Sequence, residues 1–184
     1  MARTTSGHSR AVIAAAIALP FALMVGVLVM AVLAQRGPAS PPVALPGGPA
    51  PDAANPACSS LVAALPTSLA DADRAPLAPP APAGALAWRN PATGGAAVVL
   101  RCGIPRPAEF TRAAALIGVN GVQWLELPVP TQGVAATTYV AVDRAAYLAL
   151  TLPLGSGTGA LQQVSDVVAA TLPAHDLDPA PIGG

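Results

Sequence analysis

The chain has 184 residues with nine basic and nine acidic side chains, so its formal net charge is zero at neutral pH. Apolar residues make up 53% of the sequence but aromatic residues only 3%, which predicts a core built from valine, leucine and alanine. Downstream of residue 55 there are six arginines and eight acidic side chains, a formal charge of −2. Nucleic-acid binding needs a net basic surface, so this balance excludes nucleic acid from the expected partners.

An uncharged apolar stretch at residues 11–34 is predicted to be a transmembrane helix. Its length of roughly 35 Å is enough to cross a hydrocarbon core of about 30 Å. Arg3 and Arg10 lie ahead of it in a predicted cytoplasmic segment, residues 1–10, whereas only Arg36 follows closely. This asymmetry places the N-terminus in the cytoplasm and the C-terminal domain outside the cell membrane. The stretch is longer than a signal-peptide core, which favours an uncleaved signal anchor, and cleavage after Ala34 is the alternative.

Residues 35–56 are predicted to be a proline-rich linker. Seven of the twenty residues from Gly37 to Pro56 are proline, and charges are scarce. This composition favours extended polyproline conformations, which would space the domain from the bilayer. A low-complexity segment that is merely tolerated is the alternative.

Residues 57–174 are predicted to form one exported α+β domain, a small, mainly antiparallel sheet of about four strands with helices packed on one face. Runs of β-branched and alternating apolar residues predict strands at 96–102, 122–127, 137–142 and 147–152. The proline-rich stretch 75–85 is predicted to be a surface loop, and residues 175–184 a flexible tail. Apolar residues at helical spacing predict three helices, marked by Cys58, Leu61, Leu65 and Leu69, by Phe110, Ala114 and Ile117 after Pro107, and by Leu161, Val164, Val168 and Leu172.

The chain has two cysteines, Cys58 and Cys102, and both lie in the predicted exported part. Thiols are oxidised outside the cytoplasm, so we predict a disulfide between them. Closing a loop of about 45 residues would stabilise the fold by roughly 4 kcal/mol on the chain-entropy model. Two buried free thiols are the alternative.

Groups able to carry catalysis are scarce in the exported part. It has no lysine, and its one histidine, His175, lies in the predicted tail, so we predict no nucleophile with an aligned base, no metal site and no cofactor. A carboxylate pair around Glu126 is the remaining enzymatic option, because Glu126 shares a strand face with the apolar ring of Trp124. Its possible partners are Glu109, Asp143 and Asp166. A carboxylate at the polar edge of a half-exposed strand is the alternative.

Six residues are candidates for contacts with a partner: Trp88, Arg101, Trp124, Glu126, Asp143 and Arg144. Indole rings can stack on sugars or peptides, but in an aromatic-poor chain the core or its edge is the favoured location for Trp88 and Trp124. Asp143 and Arg144 are adjacent at the turn between the last two predicted strands, where Asp143 is also expected to cap the turn and Arg144 to pair with a nearby group. A cavity between the sheet and the helices would favour a small-ligand carrier.

Several short motifs occur in an order that resembles one known family. They are CSSLVAALP from Cys58, VVLRCGIPRP from Val98, NGVQWLEL from Asn120 and VDRAAYLALTLP from Val142. Together with the N-terminal span, Trp88 before a turn and a last helix ending in Leu-Pro, they are similar to an actinobacterial family of exported membrane proteins known as domain of unknown function 3515. The resemblance covers about 115 residues. It implies an envelope location in a Gram-positive-type cell and carries over no activity or site residue.

The sequence therefore predicts a single-pass membrane protein whose exported domain binds an envelope protein or polymer without catalysis. A cell-wall hydrolase or transferase that uses a carboxylate pair around Glu126 is one alternative. A small-ligand carrier is the other.

Overall fold

The computed structural model describes residues 8–35, 41–45, 48–131 and 134–181. The first seven residues of the predicted cytoplasmic segment, part of the predicted linker and the last three residues of the predicted tail lie outside these ranges. The chain divides into two compact units, Met1–Ala39 and Ser40–Gly184.

The first unit contains a single long helix, α1 (His8–Gln35), with Pro20 inside it. Its window Ala14–Ala31 has a mean hydropathy of 2.4. Within the described part of the chain, α1 is the one helix long and apolar enough to cross a membrane. A membrane anchor and a signal sequence share these properties.

The second unit is an eight-stranded antiparallel sheet with two helices. Its strand order, β1-β2-β3-β4-β8-β7-β6-β5, describes two four-stranded meanders that meet where β4 pairs with β8. In chain order the elements are α2 (Pro56–Ala64), β1 (Ser68–Leu69), β2 (Ala72–Ala75), β3 (Ala85–Arg89), β4 (Val98–Ile104), β5 (Leu116–Val119), β6 (Val122–Thr131), β7 (Val134–Ala141), β8 (Tyr147–Pro153) and α3 (Gly159–Thr171).

The predicted α+β class is confirmed, but the prediction of about four strands is wrong. The four predicted strands correspond to β4, β6, β7 and β8, which have seven to ten residues each. The other four have two to five residues and lie in alanine- and proline-rich sequence. Such short segments show no usable alternation, because small residues pack on either face of a sheet.

The first predicted helix is α2, and its start follows the expected capping chemistry. The side-chain oxygen of Asn55 accepts a hydrogen bond from the Ala57 amide at 2.9 Å, and Pro56 occupies the first turn. The helix ends at Ala64, two residues before Pro66. Leu69, predicted on the same helical stripe, lies instead in β1, where it is fully buried.

The helix predicted after Pro107 is absent. The segment 108–115 forms turns, and β5 follows at Leu116. Phe110 is buried there, edge-on to Tyr147 with 6.3 Å between ring centroids, and its carbonyl accepts the Ala180 amide. Alanine-rich helix propensity is a weak preference, and the burial of this aromatic ring overrides it.

Both faces of the sheet are covered, one by regular and one by irregular structure. The helix face, against α2 and α3, holds the main core, which includes Trp88, Leu100, Trp124, Leu148 and Leu150. The back face carries two smaller clusters, one around Phe110 and one around Val43. The prediction places helices on one face of the sheet, which leaves the other face exposed to solvent. In the structure, the back face is covered as well.

The described part of the predicted linker lies against the back face. Val43 is 6% exposed and packs with Ala75 and Ala87. Its amide donates to the Pro76 carbonyl at 2.8 Å, and its carbonyl accepts the Ala78 amide at 2.9 Å. The segment is extended, as its prolines predict, but the extended backbone is hydrogen-bonded to the domain.

Arginine side chains hold this linker at two further points. Arg89 donates to the Pro41 carbonyl, and Arg101 donates to the Gly48 carbonyl. Proline has no N–H and cannot extend a ladder of backbone hydrogen bonds, so side-chain donors satisfy the carbonyls instead.

The described part of the predicted tail is also hydrogen-bonded to the domain. The His175 amide donates to the Asp143 carbonyl at 2.9 Å. Arg106 forms an ion pair with Asp178 at 3.1 Å, and Ala180 bridges to Thr111. Residues up to 181 are thus part of the folded unit.

Candidate functional site

The predicted disulfide is present between Cys58 of α2 and Cys102 of β4. The two Cα atoms are 5.5 Å apart, and both residues are fully buried. The bond fastens α2 to a central strand of the sheet. Because both cysteines are buried, thiols in solution do not reach the sulfur atoms. The bond is therefore structural and not a reactive redox pair.

The residue after Cys102 has a role that sequence reasoning missed. Gly103 has a φ of +79°, and the pairing of β4 with β8 shifts register at this point. Its carbonyl accepts the Asp52 amide at 3.1 Å, and a Cβ added here would lie 2.2 Å from the Ala53 nitrogen. Glycine is required because the 52–53 backbone occupies the space of a side chain.

The Arg-Cys-Gly motif therefore joins β4 to the linker at two points and to α2 at one, from three consecutive positions. Arg101 reaches the linker at Gly48, Cys102 bonds to α2, and Gly103 contacts the backbone at 52–53. The sequence signal for these contacts is the motif itself. The family pattern contains the motif but does not indicate which residues it contacts.

Asp143 and Arg144 form a buried ion pair. They are 6% and 7% exposed, and Arg144 Nη1 lies 2.7 Å from Asp143 Oδ2. Arg144 also donates to the Gly121 carbonyl, and Asp143 Oδ2 accepts the Gln123 amide at 3.1 Å. The two residues have a structural role, as the alternative to partner binding predicts, but the turn that they stabilise is the one between β5 and β6 and not their own turn between β7 and β8.

The two tryptophans are fully buried core residues. Trp124 donates its indole N–H to Ser165 Oγ of α3 at 2.9 Å. Trp88 donates to the Pro66 carbonyl at 3.1 Å, and the guanidinium carbon of Arg74 lies 4.7 Å from the centroid of its ring. Burial lowers the pKa of Arg74, which also donates to the carbonyls of Leu65 and Pro66. Neither indole ring can stack on a ligand without opening the core.

Glu126 is exposed on β6, directly opposite Tyr139 of β7. Burial raises the pKa of the Tyr139 phenol, and the negative charge of Glu126 raises it further. The other carboxylates considered with Glu126 have separate environments: Glu109 lies beside the back face, Asp143 is paired with Arg144, and Asp166 accepts a hydrogen bond from Asn120. The structure does not bring them together with Glu126.

Replacing Glu126 with glutamine is expected to lower the pKa of Tyr139, because the variant removes a negative charge that disfavours the phenolate. Burial is unchanged, so the pKa of Tyr139 stays above the ordinary tyrosine value. An ultraviolet absorbance titration in a Tyr147→Phe background, which leaves Tyr139 as the one tyrosine of the chain, measures this shift. An identical titration with and without the carboxylate would show that the two side chains are not coupled.

The back face contains an open groove of about 430 Å³, here called the back-face groove. It crosses strands β4, β8, β7 and β6 between the linker and the coil that follows β4. Arg101 lies in it and Arg106 and Glu109 at its edge, while its floor comprises Leu127, Thr138, Val140, Ala149 and Thr151, and its rim comprises Pro49, Pro105 and Pro107. Of the six candidate binding residues, Arg101 is the one that the structure places in this groove.

A second cavity, of about 300 Å³, lies between the loop after β3 and the start of α3. Trp88 and Asn90 line it on one side and Ser156 and Ala160 on the other. A small-ligand carrier is expected to have an enclosed cavity between sheet and helices, whereas this cavity is partly open to solvent. Its volume is at the lower end of the range for small-molecule sites.

These features define an α+β domain with an eight-stranded antiparallel sheet, a buried disulfide and an N-terminal apolar helix ahead of it. The chain belongs to the family described as Protein of unknown function (DUF3515), whose model matches residues 17–177. This match confirms the family resemblance of the motifs. No curated protein matches the chain.

A crystal structure at 1.50 Å of a protein from Bacteroides thetaiotaomicron VPI-5482 is similar to part of the chain. The sequence identity is 14% and the TM-score is 0.33. The match covers 58% of this chain and 42% of that protein. A similarity of this size carries no argument about fold or function.

Proposed function

We propose that this protein is a single-pass membrane protein whose C-terminal domain lies outside the cell membrane and binds a component of the cell envelope without catalysis. The observation that carries the proposal is the buried disulfide in a chain that begins with one long apolar helix. Structural disulfides persist in oxidising compartments and are rare in the cytosol. A domain held together by such a bond fits an extracytoplasmic location.

The surroundings of the candidate residues support binding over catalysis. Trp88, Trp124, Asp143 and Arg144 are buried and hydrogen-bonded within the domain. Glu126 is exposed, with Tyr139 as its cross-strand neighbour. A general acid and base pair requires two groups aligned on one reacting bond, and these residues supply no such alignment. A binding function requires only a shaped surface, which the back-face groove provides.

A reporter fused after residue 184 tests the topology. We expect an enzyme reporter that is active only outside the cytoplasm to be active on the full chain, and protease added to intact cells to digest the domain. The matched control lacks residues 11–34 and is expected to keep the reporter inactive, because nothing then directs the domain across the bilayer. A full-length fusion whose reporter works only in the cytosol would contradict the proposal.

A further inference from the structure

The back-face groove contains a cation without an acidic partner. Arg101 is half-buried, its Nε is buried without a hydrogen-bond partner, and its Nη2 donates to the Gly48 carbonyl. Among the described residues, the ion pairs are those of Arg106 with Asp178 and of Arg144 with Asp143, so Arg101 has no carboxylate. A half-buried guanidinium beside apolar side chains favours a bound anion, because the local dielectric constant is low.

The floor of the groove next to Arg101 is mainly apolar. In the register of the sheet, Arg101 stands beside Ala149 of β8, and Ala149 stands beside Val140 of β7. In the next row, the hydroxyls of Thr151 and Thr138 hydrogen-bond to each other at 2.8 Å, one donating and the other accepting. Ala149 and Val140 therefore offer van der Waals contact alone, and the threonine pair keeps part of its hydrogen-bonding capacity within the pair.

The rim and most of the floor disfavour recognition of a peptide by strand addition. Pro49, Pro105 and Pro107 have no backbone N–H, and β4, β8 and β7 are paired on both edges, whereas β6 pairs with β5 only over Val122–Leu125. A peptide added to a sheet needs a free edge with donors and acceptors. The groove instead offers one cation at one end and apolar contact along the rest.

The dimensions of the groove set the length of the ligand. From β4 to β6 there are three strand spacings, or about 14 Å. This distance is that of an extended chain of about a dozen carbon atoms. Of the two arginines that line the groove, Arg106 is paired with Asp178, so Arg101 is the one without a carboxylate partner.

We propose that the back-face groove binds a single-chain anionic amphiphile, with its carboxylate at Arg101 and its alkyl chain across β8, β7 and β6. The inference deepens the proposed binding function and rests on it, since the bilayer that holds the proposed anchor supplies such molecules. It names the chemical class of the ligand. The groove is a binding site and takes no part in a reaction.

Photo-cross-linking to the full chain in phosphatidylcholine nanodiscs tests the proposal. The probe is dodecanoic acid with a terminal diazirine, and its neutral counterpart is the dodecanol with the same diazirine. Mass spectrometry maps the labelled peptides. Because the diazirine is at the far end of the alkyl chain, we expect the acid to label peptides of β6 and β7 about tenfold more than the alcohol does, since a charge-assisted hydrogen bond contributes about that factor.

Three variants identify the groove as the labelled site. Arg101→Gln removes the cation and is expected to reduce labelling by the acid roughly tenfold. Ala149→Phe fills the floor and is expected to abolish labelling. Arg112→Gln, which removes an exposed arginine outside the groove, is expected to leave labelling unchanged. Thermal unfolding of each variant tests whether it is folded. If Ala149→Phe does not fold, the labelling of Arg101→Gln alone decides whether the groove is the binding site.

Three outcomes would overturn the proposal: equal labelling by acid and alcohol, labelling confined to α1, or labelling that persists in Arg101→Gln. Competition by inorganic phosphate alone would also overturn it, since it would reveal a simple anion site. The topology result is independent of these outcomes. If the groove is labelled but the reporter is active only in the cytosol, the proposed location is wrong and this inference stands. If the reporter is active outside the cytoplasm but the groove is not labelled, this inference is wrong and the proposed location stands.

Discussion

Replacing Gly103 with alanine is expected to destabilise the domain by about 3 kcal/mol or more. The left-handed backbone at this position, φ +79°, costs an L-residue about 1 to 2 kcal/mol. The added Cβ would also lie 2.2 Å from the Ala53 nitrogen and 2.3 Å from the Asp52 carbonyl carbon. Both are backbone atoms that cannot rotate away, so the turn at 52–53 must move away from β4 and lose the hydrogen bond between the Asp52 amide and the Gly103 carbonyl. Denaturant unfolding measures the loss.

Gly94 provides a matched control for this variant. It also has a positive φ, of +60°, but a Cβ added there meets nothing within 4 Å. Gly94→Ala therefore carries the backbone cost alone, and the difference between the two variants isolates the contact with the linker. Protease cleavage between residues 48 and 56 is expected to accelerate in Gly103→Ala only. Equal destabilisation by the two substitutions would show that the contact contributes nothing.

Loss of the disulfide is expected to have the largest effect on stability. The bond joins residues 44 apart in sequence. The chain-entropy model assigns such a cross-link about 4 kcal/mol, against a total of about 5 to 15 kcal/mol for a domain. The double variant Cys58→Ala with Cys102→Ala removes the bond and also leaves space at two fully buried positions. We expect its denaturation midpoint to fall to a small fraction of the wild-type value.

A reductant separates the cross-link from side-chain packing. Excess reductant under unfolding conditions is expected to lower the stability of the wild-type chain and to leave the double variant unchanged. The reduced wild-type chain retains both sulfur atoms, so its remaining advantage over the double variant measures packing alone. A wild-type stability that does not respond to reductant would contradict the expected contribution of the bond.

The elements that the sequence predicts well are those whose own side chains fill the core. The last helix is an example, because Leu161, Val164 and Val168 recur at helical spacing and all three are buried in α3. The strand from Val122 alternates in the same way, with Val122 and Trp124 on the helix face. In both elements the local pattern and the tertiary contacts agree, which is the condition for prediction from sequence.

The irregular segments are predicted poorly, for a physical reason. Proline-rich sequence lacks periodicity, and its contacts depend on what the rest of the fold places beside it. Val43 is one valine among prolines, yet it is buried because Ala75 and Ala87 leave room for it on the back face. Phe110 is the opposite case, since it lies in helix-forming sequence but is packed against Tyr147 and hydrogen-bonded to Ala180.

The candidate site is predictable in part. The cysteine pair follows from composition and location, because no other cysteine competes for either partner. Arg101 is among the candidate binding residues, but the groove around it is assembled from four strands and the linker. That assembly depends on the β4 to β8 pairing, which joins residues about 50 apart in sequence. Such long-range pairings leave no local signature.

All nine basic residues of the chain are arginine. Codon usage is one explanation, but the contacts of Arg74 also limit which residues the domain accepts at that position. Arg74 holds two successive carbonyls, those of Leu65 and Pro66, while its guanidinium carbon lies 4.7 Å from the centroid of the Trp88 ring. A lysine ammonium is a compact point charge and lacks the planar fork that makes both contacts at once. Evolutionary drift from arginine to lysine at this position is therefore expected to be costly, whatever the base composition of the genome.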